Sequence, residues 1–263
     1  MTDCAGEWHP RASTPMESPH LSVIVPAYNG EDRLPGALAE LGTWLDTVPY
    51  STELILVDDH SRAPAEKLLA DFSAARLNTR VIRNETNLGK GASVARGMLA
   101  AKGEFRVFTD ADLAYPPAEI GKILTDLESG ADVAIACRVL PESRYLMSPS
   151  FFHDLYTRHV MSRVFNLMVR VVLLRDILDT QAGLKGFTAK AAAVVFPRMT
   201  IPRFGFDVEA LFIAQSHGFR VKQTAVHFRY DEEPTTITFT QSVFRMMADL
   251  LQVRMNHLRG RYR

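Results

Sequence analysis

Asp110, Ala111 and Asp112 place two carboxylates one residue apart, directly after the apolar run Phe105–Thr109. Where a chain turns at the end of a buried strand, both carboxylates can face one pocket. Two hard oxygen donors beside an anionic ligand suit Mg²⁺ or Mn²⁺, which take one or two carboxylates plus water and substrate phosphates. Solvated loop acids show the same spacing, so position has to carry the reading. Asp58 and Asp59 form a second acidic pair, after Glu53–Val57. A carboxylate there can accept hydrogen bonds from a base N–H or a ribose hydroxyl. Asp59 and Ser61 equally suit a turn or cap ahead of the next helix. Arg138, Arg144, Arg158 and Arg163 follow one another closely. Guanidinium groups grip phosphate oxygens in pairs. Any one of them alone reads as a solvated helix face, but beside a metal site the group favours a phosphate-bearing substrate.

The elements that must position these residues follow a regular rhythm. Leu21–Pro26, Glu53–Val57, Arg80–Arg83, Phe105–Thr109 and Asp132–Cys137 read as short, buried strands. Glu31–Leu45, Pro64–Arg76, Ala92–Ala101 and Pro116–Glu128 alternate with them and carry helical apolar spacing. Strand and helix in alternation, with short connections, predict an α/β fold with a mostly parallel sheet and helices on both faces. Such sheets bind ligands beyond the carboxyl ends of their strands, and both acidic pairs fall there. After Cys137 the rhythm changes. Arg138–Ser150 reads as a loop, Phe151–Arg175 as a long basic helical stretch, and Asp179–Gly183 as a turn. Gly186–Phe196 reads as strand and helix, Phe206–His217 as a helix and Arg220–Tyr230 as extended chain. Gln241–Arg259 reads as a basic amphipathic helix.

Composition excludes several classes. Of 263 residues 47% are hydrophobic and 23% charged, so neither a wholly disordered chain nor a small disulfide scaffold fits. Thirty basic and thirty acidic residues give no net field to recruit nucleic acid. Cys4 and Cys137 are far apart and read as free thiols in a reducing compartment. Residues 1–20 carry Pro10, Pro15 and Pro19 without an apolar stretch, and read as a disordered tail rather than a signal peptide. No apolar run approaches the roughly 20 residues that span a bilayer, so the chain is expected not to cross a membrane by itself. Gly89-Lys90-Gly91 lacks the spacing of a Walker loop, and no Gly-x-Gly-x-x-Gly follows the first strand. A nucleotide bound here needs a metal or basic residues for its phosphates.

Four segments in order, Val25-Pro26-Ala27-Tyr28-Asn29, Val57-Asp58-Asp59-His60-Ser61, Asn87-Leu88-Gly89-Lys90-Gly91 and Asp110-Ala111-Asp112, resemble the nucleotide-sugar domain of family 2 inverting glycosyltransferases. Arg138, Ser162–Asn166, the run Asp179-Thr180-Gln181-Ala182-Gly183-Leu184-Lys185-Gly186-Phe187, and Phe206-Asp207-Val208-Glu209 resemble the dolichyl-phosphate glucose and mannose synthases and their bacterial polyprenyl-phosphate relatives. The resemblance spans about residues 21 to 258. It implies a GT-A fold, with a catalytic domain over 21–237 and an appended basic amphipathic helix over 238–263. It further implies Asp58 on the nucleobase, and Asp110 and Asp112 on a Mg²⁺ or Mn²⁺ ion and the diphosphate. Pro26, Tyr28, Asn29, Asp59, Asn87, Gly89, Lys90 and Ala111 would complete the nucleotide-sugar site. Gln181 would lie near the donor, and Arg138, Arg144 and Arg163 would hold the acceptor phosphate. Asp112, Asp207, Gln181 and Arg163 are the expected catalytic set. Ala114 stands where some mannose-type relatives carry a Gln on the metal.

The implied reaction moves a hexose from a nucleotide sugar to polyprenyl phosphate. UDP-sugars are favoured over GDP-mannose, and glucose and an N-acetylhexosamine both remain open. A phosphate monoester is already anionic near neutral pH, with a second pKa of about 6, so it can attack without the general base that a sugar hydroxyl requires. Asp207 and Glu209 would then position substrate rather than remove a proton, or simply favour a helix start. From Gln241 onward five arginines face one aspartate, and Phe244, Met247, Leu251 and Leu258 fall at helical spacing. Such a helix suits the surface of an anionic membrane, and its apolar face equally suits packing on the catalytic domain. The expected location is therefore cytoplasmic, peripheral at the inner face of the cytoplasmic membrane, with a small membrane protein as a possible partner. Transfer to a saccharide hydroxyl and a non-catalytic nucleotide-sugar-binding subunit are the alternatives.

Overall fold

The computed structural model describes residues 18–146, 169, 173–203, 205–229 and 239–263. The expected tail over 1–20 and the helical stretch Phe151–Arg175, with Arg158 and Arg163, lie mostly outside them.

β1 (Leu21–Ala27) is buried along its whole length, and β2 (Thr52–Asp58) nearly so. Their residues alternate between two cores, which is why they read as continuous apolar runs. Val23, Val25, Leu54 and Leu56 face one core, and Ile24, Ile55 and Val57 the other. Helices α1 (Leu34–Thr47), α2 (Ala63–Ala75) and α4 (Ala118–Glu128) cover the first core. α3 (Lys90–Ala100), α5 (Ala189–Val195) and α6 (Phe206–Ser216) cover the second.

With β3 (Thr79–Arg83), β4 (Phe105–Phe108), β5 (Val133–Cys137), β7 (Lys185–Thr188) and β8 (Val221–Ala225), the sheet runs in the order β3-β2-β1-β4-β7-β5-β8. β1, β2, β3 and β4 pair parallel, as do β5 and β8. β7 is antiparallel to both β4 and β5 and joins the two halves. This is the mostly parallel sheet that the rhythm predicts. The strand order reverses between β1 and β4, so the chain leaves in opposite directions there and opens a crevice at their carboxyl ends.

The differences from the sequence reading have local causes. α1 starts at Leu34, not Glu31, because Asn29 and Gly30 take positive φ and the Arg33 and Leu34 amides donate to the Gly30 carbonyl. α3 starts earlier than expected, at Lys90, with Gly89 at φ +98° turning the chain into it. The predicted loop after β5 contains β6 (Arg144–Leu146), paired parallel with β9 (His227–Arg229). Three-residue polar strands carry no readable period.

α3 lies unusually close to the sheet. A Cβ on Gly97 would stand 2.4 Å from Cγ2 of Ile24 and 2.9 Å from Cγ2 of Val57. Gly97→Ala is therefore expected to destabilise the fold by about 1–3 kcal/mol through overpacking, although Ala gains about 1 kcal/mol over Gly in helix propensity. The urea midpoint checks the sign.

Candidate active site

The crevice between β1 and β4 holds a cleft of about 320 Å³. Pro26, Tyr28 and Asn29 line it from the end of β1, Arg33 and Leu34 from the start of α1, and Lys90 from α3. Asp110, Ala111 and Asp112 complete it from the end of β4. Seven residues predicted for the nucleotide sugar and metal thus share one cavity. Tyr28 is 56% exposed at its rim.

Charge in the cleft is tightly paired. The Lys90 ammonium stands 2.5 Å from Asp110 Oδ1. Burial works against the ammonium, but Asp110, Asp207 and Asp112 outweigh it and hold Lys90 above its ordinary value. Desolvation and then the Asp110 charge push the Asp112 carboxyl up. Asp112 Oδ1 accepts the Ala114 amide at 3.0 Å, closing a small turn over Leu113, itself at φ +48°. A Cβ on Gly183 would lie 2.2 Å from Asp110 Oδ2, so the absent side chain makes room for this carboxylate. Two oxygen-donor side chains on one wall fit a divalent cation whose remaining ligands are phosphate and water. Among the described residues no cluster of three or more His, Cys, Asp or Glu forms a closed metal cage.

Asp58, Asp59, Asn87 and Gly89 stand behind this lining and build it. Asp59 is buried, and its Oδ1 accepts the Leu88 amide and Asn84 Nδ2, at 2.8 and 2.7 Å. Its Oδ2 accepts the Gly89 amide at 2.8 Å, and Asn87 Nδ2 reaches its carbonyl at 3.4 Å. The carboxylate therefore shapes the turn that presents Lys90. Asp58 Oδ1 accepts the Ser61 amide at 2.8 Å, and Arg83 pairs with its Oδ2. Asn29 joins these turns through Ser61 Oγ and the Arg62 amide.

Asp207, on the first turn of α6, is buried and lies 2.5 Å from Nζ of Lys185. Lys185 is fully buried, donates also to the Ala182 carbonyl, and lies 5.5 Å from the Phe108 ring centre. Burial pushes Lys185 down and Asp207 up, and their pairing opposes both. Glu209 is equally buried, but its carboxylate is occupied by Thr200, Ile201 and Tyr262.

Arg138 donates Nε and Nη2 to buried Asp179 at 2.7 and 2.9 Å, and its amide donates to the same carboxylate. Its guanidinium also lies 5.6 Å from the Phe228 ring centre. Arg144 is exposed on β6. Arg163 lies outside the described residues. Gln181 Nε2 is buried and has no hydrogen-bond partner among the described residues.

Arg33 and Arg83 escape the sequence reading as site residues, and Gly183 and Lys185 stand in the Asp179–Phe187 run without a role of their own. Arg83 had a signal, since it ends a strand on the ligand side of the sheet. Nothing in the spacing marks Lys185, the first residue of β7, as a counter-charge.

Residues 22–191 match the model of glycosyl transferase family 2. This chain belongs to that family. It is a glycosyltransferase. The dolichyl-phosphate beta-glucosyltransferase of Homo sapiens is 33% identical over 254 residues, covering 92% of this chain and 77% of that protein. The enzyme of the same description from Dictyostelium discoideum is 30% identical over 256 residues, covering 94% and 77%. Glucosyl-3-phosphoglycerate synthase from Mycobacterium tuberculosis, solved with UDP, superposes with a TM-score of 0.66 at 19% identity, over 94% of this chain and 86% of that one. The same synthase has been solved with UDP and Mg²⁺, and with UDP, its product and Mn²⁺. The likeness establishes the GT-A fold for the glycosyltransferase described here.

The Arg138–Asp179 pair generates a pH prediction. Burial alone would raise the Asp179 carboxyl, but Arg138 outweighs it and holds it below the usual range. A depressed folded value means stability present above the ordinary carboxylate pKa near 4 and lost as pH falls through the folded value. Asp179→Asn is expected to destabilise by about 2–4 kcal/mol at pH 7. The gap to wild type should narrow below pH 4, as urea unfolding at both pH values would measure.

Proposed function

We propose that this glycosyltransferase moves glucose from UDP-glucose to a polyprenyl phosphate, with inversion at the anomeric carbon. The carrying observation is the state of Asp207. A hydroxyl acceptor needs a carboxylate base free to take a proton, whereas Asp207 is buried and ion-paired to Lys185. A phosphate acceptor is its own nucleophile, and needs only to be held. The dolichyl-phosphate beta-glucosyltransferases, similar over nine-tenths of the chain, support the same acceptor class and sugar.

In this reading Tyr28, Asn29 and Pro26 receive the nucleoside, and Asp58, held by the Ser61 amide and Arg83, shapes the turn behind them rather than meeting the base as the resemblance implies. A divalent Mg²⁺ or Mn²⁺ held by Asp110 and Asp112 would neutralise the departing diphosphate. Lys90 and Arg33 add fixed positive charge on the same cleft wall. Gln181, with a buried amide nitrogen lacking a partner among the described residues, is available to a donor-sugar or phosphate oxygen. Arg138 is held rigid by Asp179 and, with Arg144 and Arg163, orients the acceptor phosphate.

A lipid acceptor requires a membrane surface. No helix among the described residues is long and apolar enough to cross one. Helix α7 (Phe239–Leu258) turns Leu250 and Val253 into the core and leaves Leu251, Met255 and Leu258 exposed. Met247, grouped with Leu251 and Leu258 by spacing, packs on the core instead, while Met255 joins them at the surface; the Phe244 side chain lies outside the described residues. Arg254, Arg259 and Arg261 are exposed beside that stripe. This arrangement supports a peripheral seat on an anionic bilayer at the cytoplasmic face. A small membrane protein could share that seat.

Radiolabel transfer to a butanol-extractable lipid tests the reaction. With Mn²⁺ and a polyprenyl phosphate, label is expected from UDP-glucose and not from UDP-GlcNAc, UDP-GalNAc or GDP-mannose. Absence of lipid label from every donor, despite nucleotide binding, would refute the phosphate acceptor. Asp112→Ala is expected to reduce turnover by at least about 100-fold with an unchanged melting temperature. Near-normal activity would remove the metal pair.

A further inference from the structure

Lys90 stands between two glycines that have no room for a side chain. A Cβ on Gly89 would lie 2.7 Å from the Pro202 carbonyl oxygen. One on Gly91 would lie 2.9 Å from the Ile201 carbonyl oxygen and 2.6 Å from Cβ of Phe206. The Ala92 amide donates to the Pro202 oxygen at 3.0 Å. The turn that presents Lys90 therefore rests directly on Ile201, Pro202 and Phe206.

That seat hangs on one carboxylate. Glu209 Oε2 accepts the Thr200 and Ile201 amides at 2.9 and 2.8 Å. Its Oε1 accepts the Thr200 hydroxyl at 2.6 Å and the Tyr262 hydroxyl at 2.7 Å. Four donors match the roughly four acceptor positions of a carboxylate, so Glu209 is fully engaged within the chain. Asn256 of α7 donates to Thr200 Oγ1 at 2.9 Å and to the Tyr262 oxygen at 3.3 Å. Glu209, Asn256 and Tyr262 are each at most 2% exposed. An unbroken set of contacts thus joins the end of α7 to the lysine paired with Asp110.

We propose that Glu209 and Tyr262 are positioning residues for nucleotide binding: they fix the Thr200–Pro202 seat beneath Gly89-Lys90-Gly91, so that the α7 end sets how firmly Lys90 is held in the cleft. This rests on reading the cleft as the nucleotide-sugar site. It assigns a task to two buried side chains that lie outside the cleft lining.

The test is Tyr262→Phe, which keeps the ring and removes one hydroxyl. Calorimetric binding of UDP with Mn²⁺ should weaken about three- to tenfold, within the range that distant coupled residues reach. The donor KM should rise with kcat little changed, and amide hydrogen exchange over residues 88–93 should speed up. Asn256→Ser is the second variant, with the same expectation if Tyr262→Phe folds poorly. Leu45→Ala is the control, in the core at the far end of α1. It should lower the melting temperature at least as much and leave affinity and exchange over 88–93 as in wild type. Wild-type affinity and exchange in Tyr262→Phe and Asn256→Ser, or equal losses in Leu45→Ala, would overturn the proposal. If wild-type protein fails to bind UDP with Mn²⁺, the nucleotide reading of the cleft falls, and with it the link to affinity. The exchange data then decide the mechanical coupling alone.

Discussion

Negative charge gathered at the end of a buried strand has to be neutralised before anything else can be built there. Asp110 and Asp112 end β4 facing one cleft, and Asp207 comes close behind on α6. Like charges in a poorly solvated site repel by several kcal/mol when left alone. The fold answers with alternation: Asp110 pairs with Lys90, and Asp207 pairs with buried Lys185. The shifts follow this pattern, with Lys90 held charged by three acids and Asp112 raised by burial and Asp110.

Holding these charges at fixed separations falls to backbone that has almost no side chain of its own. Gly183 lets Asp110 approach, and Gly89 and Gly91 let the Lys90 turn lie on Ile201, Pro202 and Phe206. Carboxylates that never reach the cleft then pin these turns: Asp59 from the β2 side and Glu209 from the α6 side. Several acids of this chain thus serve by accepting backbone amides. In sequence they look the same as those that line the cleft.

This is why the motifs were legible as a group and less so one by one. The acidic pairs lie at strand ends, where a parallel sheet binds ligands, and the cleft forms there. Within each pair the labour differs. Asp59 shapes the turn while Asp58 meets Arg83, and nothing in the dipeptide tells them apart. Arg138 reads as a free phosphate binder, yet Nε and Nη2 of its fork are held by Asp179, 41 residues later. Of the apolar set on α7, Leu251 and Leu258 face outward, but Met247 turns into the core. A helix that packs on one side and is apolar on part of the other has no single stripe to read.

The α/β alternation, the mostly parallel sheet and the residues gathered at its carboxyl-terminal edge are legible in the amino-acid order alone. These follow from local periodicity and from chain direction, which any parallel sheet translates into position. The antiparallel insertion of β7, the burial of Lys185 against Asp207, and the Glu209–Tyr262 support beneath Lys90 arise only once the chain is folded. Each of those joins residues far apart along the chain, through close approach and desolvation. Neither quantity has a counterpart in spacing along a sequence.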